Sequence, residues 1–142
     1  DLVEYSLAET IRSTSLDNLR PPLTLDVSVW PDAIGPFNAV YSANCIHVMP
    51  HKNLRPYVEG AGSVLKEGGA IVLYGPFRFG GEFTTPSNAQ FDTFLRETYP
   101  GGGIRDFEEV EALAKASGLT FESNTDMPAN NQFMVFRKMS AS

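Results

Sequence analysis

Residues 37–77 read as strand, helix, strand. Residues 37–49 (FNAVYSANCIHVM) are an apolar run with a polar tip, and residues 70–77 (AIVLYGPF) are a second apolar run. Between them, residues 53–66 place Leu54, Tyr57 or Val58, Ala61 and Leu65 on one helical face. Two hydrophobic strands joined by one amphipathic helix make a βαβ unit, which commits the chain to an α/β fold with parallel pairing. A nucleotide-binding sheet of this kind ordinarily opens on a strand and a glycine-rich turn, whose amides meet the ligand at a helix N-terminus. No such turn precedes residue 37, and glycines 101–103 come late and follow no strand. The chain therefore reads as the back half of such a domain.

At 142 residues it is long enough for one domain with a real core, and 42% hydrophobic residues, ten of them Phe, argue against disorder. A formal net charge of −6 without a basic cluster argues against nucleic acid, because phosphate neutralisation needs concentrated Lys and Arg. No apolar run approaches the ~20 residues of a membrane span, and no signal-peptide pattern is present. One cysteine excludes an internal disulfide and fits a reducing cytoplasm. The first residue is Asp, as expected of a trimmed chain or a fragment.

Along the chain, residues 2–14 have Val3, Leu7 and Ile11 at helical spacing, and Arg20-Pro21-Pro22 ends that segment. Residues 23–29 (LTLDVSV) alternate and are β-branched, which predicts a strand with Asp26 near its carboxyl end; residues 30–36 are a loop. The strand that starts at Phe37 is expected to end near Tyr41 or Ser42. Gly68-Gly69 should close the following helix, and residues 71–74 are apolar enough for a central strand. Gly80-Gly81 open a long loop. Residues 87–98 are predicted helical, with a Ser87/Gln90 capping box and Phe91, Phe94 and Leu95 inward. Asp106 and Glu109 repeat the box before a helix that Gly118 ends. Residues 119–123 and 132–138 are the last strands, an antiparallel hairpin across the short 126–131 connection.

Parallel strands followed by a C-terminal antiparallel hairpin are the order of class I S-adenosylmethionine-dependent methyltransferases. The segments YSANCIHVMP, LYGPF, SNAQFD with Leu95-Arg96, GIRD and DMPANN, in this succession, closely resemble one methyltransferase-like family. It is called domain of unknown function 938, or methyltransferase-like 26, and its substrate is poorly defined. The resemblance spans nearly the whole chain. It implies a truncated Rossmann-like fold with S-adenosylmethionine as cofactor and a small-molecule acceptor. The family's cofactor loop, first strand and ribose-binding acid would lie before Asp1. Without them strand four would gain a bare edge, covered by strand three sliding beside it or by a second chain. The expected sheet is mostly parallel and five-stranded in the order 3-4-5-7-6, with a homodimer or the missing N-terminal segment as partner.

Carried over residue by residue, the resemblance implies cofactor binding for Asp26 and Val27, with a turn or cap aspartate as the alternative for Asp26. Asn44 follows the fourth strand beside the methyl donor, and His47 is an optional base, or else a half-buried histidine bonded to backbone. Tyr74 would help orient the acceptor, together with Gly75, Pro76 and Phe77. Asn88, Arg105, Asn130 and Asn131 complete the implied substrate contacts. Helix capping explains Ser87 and Asn88 equally, and turn chemistry explains Asp126, Asn130 and Asn131. Arg96, Arg105 and Asp106 form either an anion site or an ion-pair brace. Trp30 would line an adenine pocket or cover the sheet edge, and Cys45 reads as a small buried hydrophobe. His47 and His51 flank Pro50 with no ligand partners at metal spacing, so no metal site is expected.

Two functional classes follow. One is a methyltransferase-like enzyme of unknown acceptor, inactive if its cofactor loop is lacking. The other is a noncatalytic α/β module for oligomerisation or partner binding. A leftover pocket lined by Phe77, Phe79, Phe83 and Phe91 is a further alternative to plain core packing.

Overall fold

The computed structural model describes residues 2–140, with side chains from residue 5 onward. Helix α1 (Leu2–Ser13) is followed by an irregular stretch, then β1 (Phe37–Ala43), a single 3-10 turn at His51–Asn53, and α2 (Leu54–Ser63). Next come β2 (Leu65–Gly75), β3 (Phe77–Phe79), β4 (Glu82–Phe83) and α3 (Pro86–Thr98). The chain ends in β5 (Arg105–Asp106), α4 (Phe107–Ala116), β6 (Leu119–Met127) and β7 (Asn131–Lys138). Among the described residues no helix is long and apolar enough to cross a membrane.

The main sheet has the order β1-β2-β7-β6, and a small second sheet has the order β4-β3-β5. Within the main sheet only β1 and β2 are parallel, and β7 is antiparallel to both β2 and β6; in the small sheet β3 pairs in parallel with β5 and antiparallel with β4. The expected five-stranded, mostly parallel sheet is thus corrected to four strands with a single parallel pair. The missing member is the strand expected at residues 23–29. Its sequence has strand propensity, but no neighbouring strand offers partners for its backbone groups. It runs irregularly instead, with Leu23 78% and Val29 72% exposed, into a turn closed by the Val29 amide donating to Asp26 O at 2.9 Å.

Alternation along the strands sends Ile71, Leu73, Met134 and Phe136 to one face. There they join Leu54, Val58 and Ala61 of α2 and Val110, Leu113 and Ala114 of α4 in a continuous core. Phe107, Phe121 and Phe136 pack ring against ring, with Phe107 and Phe121 edge-on at 5.0 Å. Trp30 lies over α2, tilted against Tyr57, and its indole N–H donates to Val27 O at 2.9 Å.

Four local expectations change. The helix predicted to run to residue 66 stops at Ser63, and Gly68 and Gly69 lie within β2. The pairing there jumps from Phe37↔Leu65 to Ala39↔Ala70, so the glycines serve a strand bulge. Helix α3 is capped by Thr85, whose hydroxyl accepts from the Asn88 amide at 3.1 Å, with Pro86 in the first turn. The predicted Ser87/Gln90 box is not used. Leu95 is buried, but Phe91 and Phe94 are 36% and 52% exposed, because the inward stripe of α3 is Asn88, Asp92 and Leu95. The second predicted box also fails: Asp106 gives both carboxylate oxygens to Arg78, at 2.9 and 2.8 Å, and Glu109 bonds His51.

Candidate functional site at the carboxyl ends of the parallel pair

The last pair of the parallel ladder is Ala43↔Tyr74. Beyond it the Asn44 amide donates to Tyr74 O at 2.8 Å, and Asn44 turns the chain off the sheet with φ +53°. Asparagine tolerates this left-handed conformation better than most residues. Its side chain stays exposed at the end of β1. The chain then closes a tight turn, with Val48 and Met49 amides donating to Cys45 O.

His47 sits inside that turn, only 3% exposed. Its carbonyl accepts from the Gly103 amide at 2.9 Å, and its ring meets Phe91 edge-on at 5.7 Å. His47 Nδ1 is enclosed and has no hydrogen-bond partner. A Cβ added at Gly75 would lie 3.4 Å from His47 Nδ1 and 3.7 Å from Asn44 Oδ1. The glycine therefore leaves a gap of about methyl size between Asn44 and His47 at the end of β2. Burial, reinforced by the positive charge of Arg105, lowers the His47 pKa to about 4. The ring is neutral near pH 7 and a weak base, which corrects the expectation of an ordinary imidazole suited to proton removal; it is better suited to accept a hydrogen bond.

Arg105 holds this turn from behind. It is 6% exposed, donating Nε to Ile46 O at 3.0 Å and Nη2 to Met49 O at 2.6 Å and Gly101 O at 2.9 Å. Burial has the largest effect and lowers its pKa; Glu109 and Asp92 raise it, and Arg96 and Arg78 lower it. Arg96 pairs instead with Asp92 at 2.6 Å, and Asp92 Oδ1 accepts from the Ile104 amide at 2.7 Å.

A second group of polar side chains lies where the hairpin turn meets the start of α3. Asn131 Nδ2 donates to the Tyr74 hydroxyl at 3.3 Å and to Pro128 O at 3.1 Å. Asn130 Nδ2 donates to Ser87 Oγ at 3.2 Å, while Asn88, 5% exposed, donates Nδ2 to Thr84 Oγ1 and to Asn130 O. Of these, Thr84, Asn130 and Asn131 line a cleft of about 530 Å³, together with Phe79, Thr85, Asn124, Asp126, Met127 and Gln132. Thr84, Asn124 and Gln132 were missed from sequence; Asn124 and Gln132 meet only through the hairpin pairing, Nδ2 to Oε1 at 2.7 Å.

Other predicted residues lie elsewhere. Asp26 is exposed and accepts from Ser28 N and Oγ at 2.9 and 2.6 Å, which lowers its pKa. Val27 packs against the core edge. Pro76 is buried, and Phe77, at 1% exposure, is a core side chain. The four phenylalanines proposed for one pocket have separate neighbours: Phe79 meets Phe107, Phe83 lies under Arg78, and Phe91 stacks on Phe94. Cys45 is half-buried, with its thiol pKa raised by burial. Among the described residues no three His, Cys, Asp or Glu side chains are grouped to hold a metal ion.

Comparison with solved structures places this architecture among methyltransferases. LaPhzM superposes over 97% of this chain with a TM-score of 0.78 at 12% identity. The S-adenosylmethionine-dependent methyltransferase SibL, in its apo form, matches over 93% at 0.74 and 16% identity. An O-methyltransferase family 2 protein from Planctomyces limnophilus DSM 3776, in complex with apigenin, matches over 80% at 0.69 and 20% identity. The chain spans 40%, 39% and 34% of these proteins' lengths, respectively. The likeness is one of fold, a methyltransferase-like α/β arrangement. The family described as Protein of unknown function (DUF938) matches residues 1–138, and the chain belongs to that family.

Proposed function

We propose that this chain contributes to S-adenosylmethionine-dependent methyl transfer to a small acceptor. The observation that carries the reading is the unpartnered Nδ1 of His47, which stands with Asn44 around the small gap that Gly75 leaves. It lies at the carboxyl ends of the parallel strands, where open α/β sheets take their ligands. An enclosed ring nitrogen without a partner is an acceptor that a polar ligand group would satisfy, so the residues present are compatible with the cofactor and acceptor that the fold implies. When bound, the cofactor supplies a methyl group already activated on a sulfonium, which leaves the protein mainly to position and to exclude water.

In this reading Asn44 holds the cofactor side of the gap. His47, neutral at physiological pH, accepts a hydrogen bond from an acceptor hydroxyl, fixes its lone pair in line, and receives that proton as the oxygen gains its methyl group. Tyr74, with Asn131, Asn130 and Asn88 behind it, borders the acceptor side. Arg105 and Phe77 act only through the turn and the core they support. The test is calorimetric titration of S-adenosylhomocysteine into the chain and into Asn44→Gly. Micromolar binding that Asn44→Gly weakens about tenfold is expected, the loss of roughly one good hydrogen bond. A folded protein that gives no heat would overturn the reading.

A noncatalytic reading rests on a different observation. Strand β1 is an open edge whose residues are mostly exposed, including Phe37 at 45% and Tyr41 at 61%. Unpaired apolar edges favour association. In that case the chain is a homodimer joined along β1, and Tyr41→Lys converts it to a monomer in sedimentation velocity. A wild-type monomer at tens of micromolar removes this alternative.

A further inference from the structure

Away from Gly75, a recess of about 330 Å³ lies between the 3-10 turn and the loop before β5. Its walls include His51, Arg78, Arg96, Arg105, Asp106 and Glu109. Arg78 opens onto this recess, whereas Phe79, the next residue of β3, lines the hairpin cleft. The two spaces thus lie on opposite sides of that strand.

Three guanidinium groups meet in the recess, and none has all its donors in use. Arg78 spends Nε and Nη2 on Asp106, and Arg96 spends Nε on Asp92. Arg105 spends Nε and Nη2 on three carbonyl oxygens. Among the described residues, Nη1 of Arg78 and Arg105 and both Nη atoms of Arg96 donate to nothing. Among the described residues, the single fully enclosed side-chain nitrogen or oxygen without a partner is His47 Nδ1. Arg105 Nη1 is therefore reached from outside despite the burial of its residue, and the recess is the opening that Arg105 lines.

The charge arrangement is as informative as the donors. Arg105 is a buried cation bonded only to neutral carbonyls, with no carboxylate within ion-pair distance among the described residues. The carboxylates of Glu109 and Asp92 act on it from beyond that distance, but burial outweighs them and leaves a desolvated charge that a bound anion would compensate. The nearby acids are already engaged: Asp106 with Arg78, Glu109 with His51, and Asp92 with Arg96 and the Ile104 amide.

We infer that this recess binds a phosphate-type oxyanion, held between the unused donors of Arg78, Arg96 and Arg105. A tetrahedral oxyanion offers acceptors in several directions, which suits forks converging from different elements; a carboxylate offers two in one plane. Because three guanidiniums face three acids, the net field is small, and the affinity expected is millimolar for inorganic phosphate. The inference is independent of the methyl-transfer reading.

The test is titration of inorganic phosphate, and separately of phenyl phosphate, into the full chain at pH 7, followed by calorimetry and amide chemical shifts. Saturable binding of both is expected, with shifts at residues 101–106. Arg96→Gln should weaken it about fivefold, and Glu109→Gln, which removes a competing acid, should strengthen it about twofold. Both positions are partly exposed, and thermal melts without phosphate establish that each variant is folded. Tighter binding of phenyl phosphate would identify the oxyanion as part of a larger molecule, whereas equal binding would identify a free ion. No saturable binding by either compound at millimolar concentration, or affinities unchanged in both variants, would overturn the site.

Discussion

Asn131 donates its side-chain N–H to the hydroxyl of Tyr74 over 3.3 Å, joining the first residue of β7 to the end of β2. The two residues are 57 apart in sequence, and this bond ties the hairpin turn to the edge where Asn44 leaves the sheet. Tyr74→Phe and Asn131→Ala should each be mildly destabilising, with a coupling of about 0.5–1 kcal/mol in a double-mutant cycle by urea denaturation. Strict additivity would show that the bond does not form in solution.

His47 makes stability depend on pH. Its folded pKa is about 4, against an ordinary value of 6.5, so between those values the unfolded chain holds the extra proton. Stability conferred by the neutral ring is complete above about pH 6.5 and is lost as pH falls toward 4, amounting to roughly 2–3 kcal/mol. Urea midpoints at pH 7 and pH 4.5 should separate more for the native sequence than for His47→Leu. Equal separations would mean that the ring is accessible to protons.

Arg105→Met should be among the most damaging single changes. It leaves Ile46, Met49 and Gly101 carbonyls without their shared donor, at a cost of about 3 kcal/mol or more. Arg105→Lys should recover less than half, because one ammonium cannot span the fork. Melting temperatures decide it, and a loss near 1 kcal/mol would mean that water replaces the guanidinium easily.

At Asn44 the backbone and the side chain can be separated. With φ +53°, Asn44→Gly should hold stability within about 0.5 kcal/mol, whereas Asn44→Val should cost about 1–2 kcal/mol. The glycine variant keeps the turn and loses only the carboxamide, which is why it serves as the binding test. Comparable melting of both variants would place the turn outside the left-handed region.

Gly60 sits under the single tryptophan. A Cβ there would overlap the Trp30 indole, so Gly60→Ala should cost about 1–3 kcal/mol and red-shift the tryptophan emission as the ring is pushed outward. Unchanged emission would mean that Trp30 does not rest on α2.

The βαβ unit, the stop at Gly118 and the closing hairpin were legible because each is written in local pattern: apolar period, a glycine after the last helical turn, and alternation on both sides of a short polar turn. Residues 23–29 misled for the opposite reason, since alternation reports propensity and says nothing of whether a partner strand is present. Phe91 and Phe94 misled because hydrophobicity suggested an inward face, whereas Asp92 took that face to satisfy the Ile104 amide. Asn44 and His47 stood out as polar residues after a strand, but the depressed pKa of His47 comes from burial that only the packed turn creates. The carbonyl contacts of Arg105 left no trace in the sequence, because every residue has a carbonyl.

The turn that carries His47 is fastened by Gly103 N, Arg105 and the Gly101 carbonyl, all more than fifty residues further along the chain. During synthesis, β1, α2 and the start of β2 leave the ribosome with that turn still unfastened. A chain stopped before residue 101 can retain the βαβ unit, but it has nothing to close the turn around His47. The candidate site is thus among the last parts of the molecule to acquire its shape, and hydrogen exchange during refolding should find the Val48 and Met49 amides protected after those of β1.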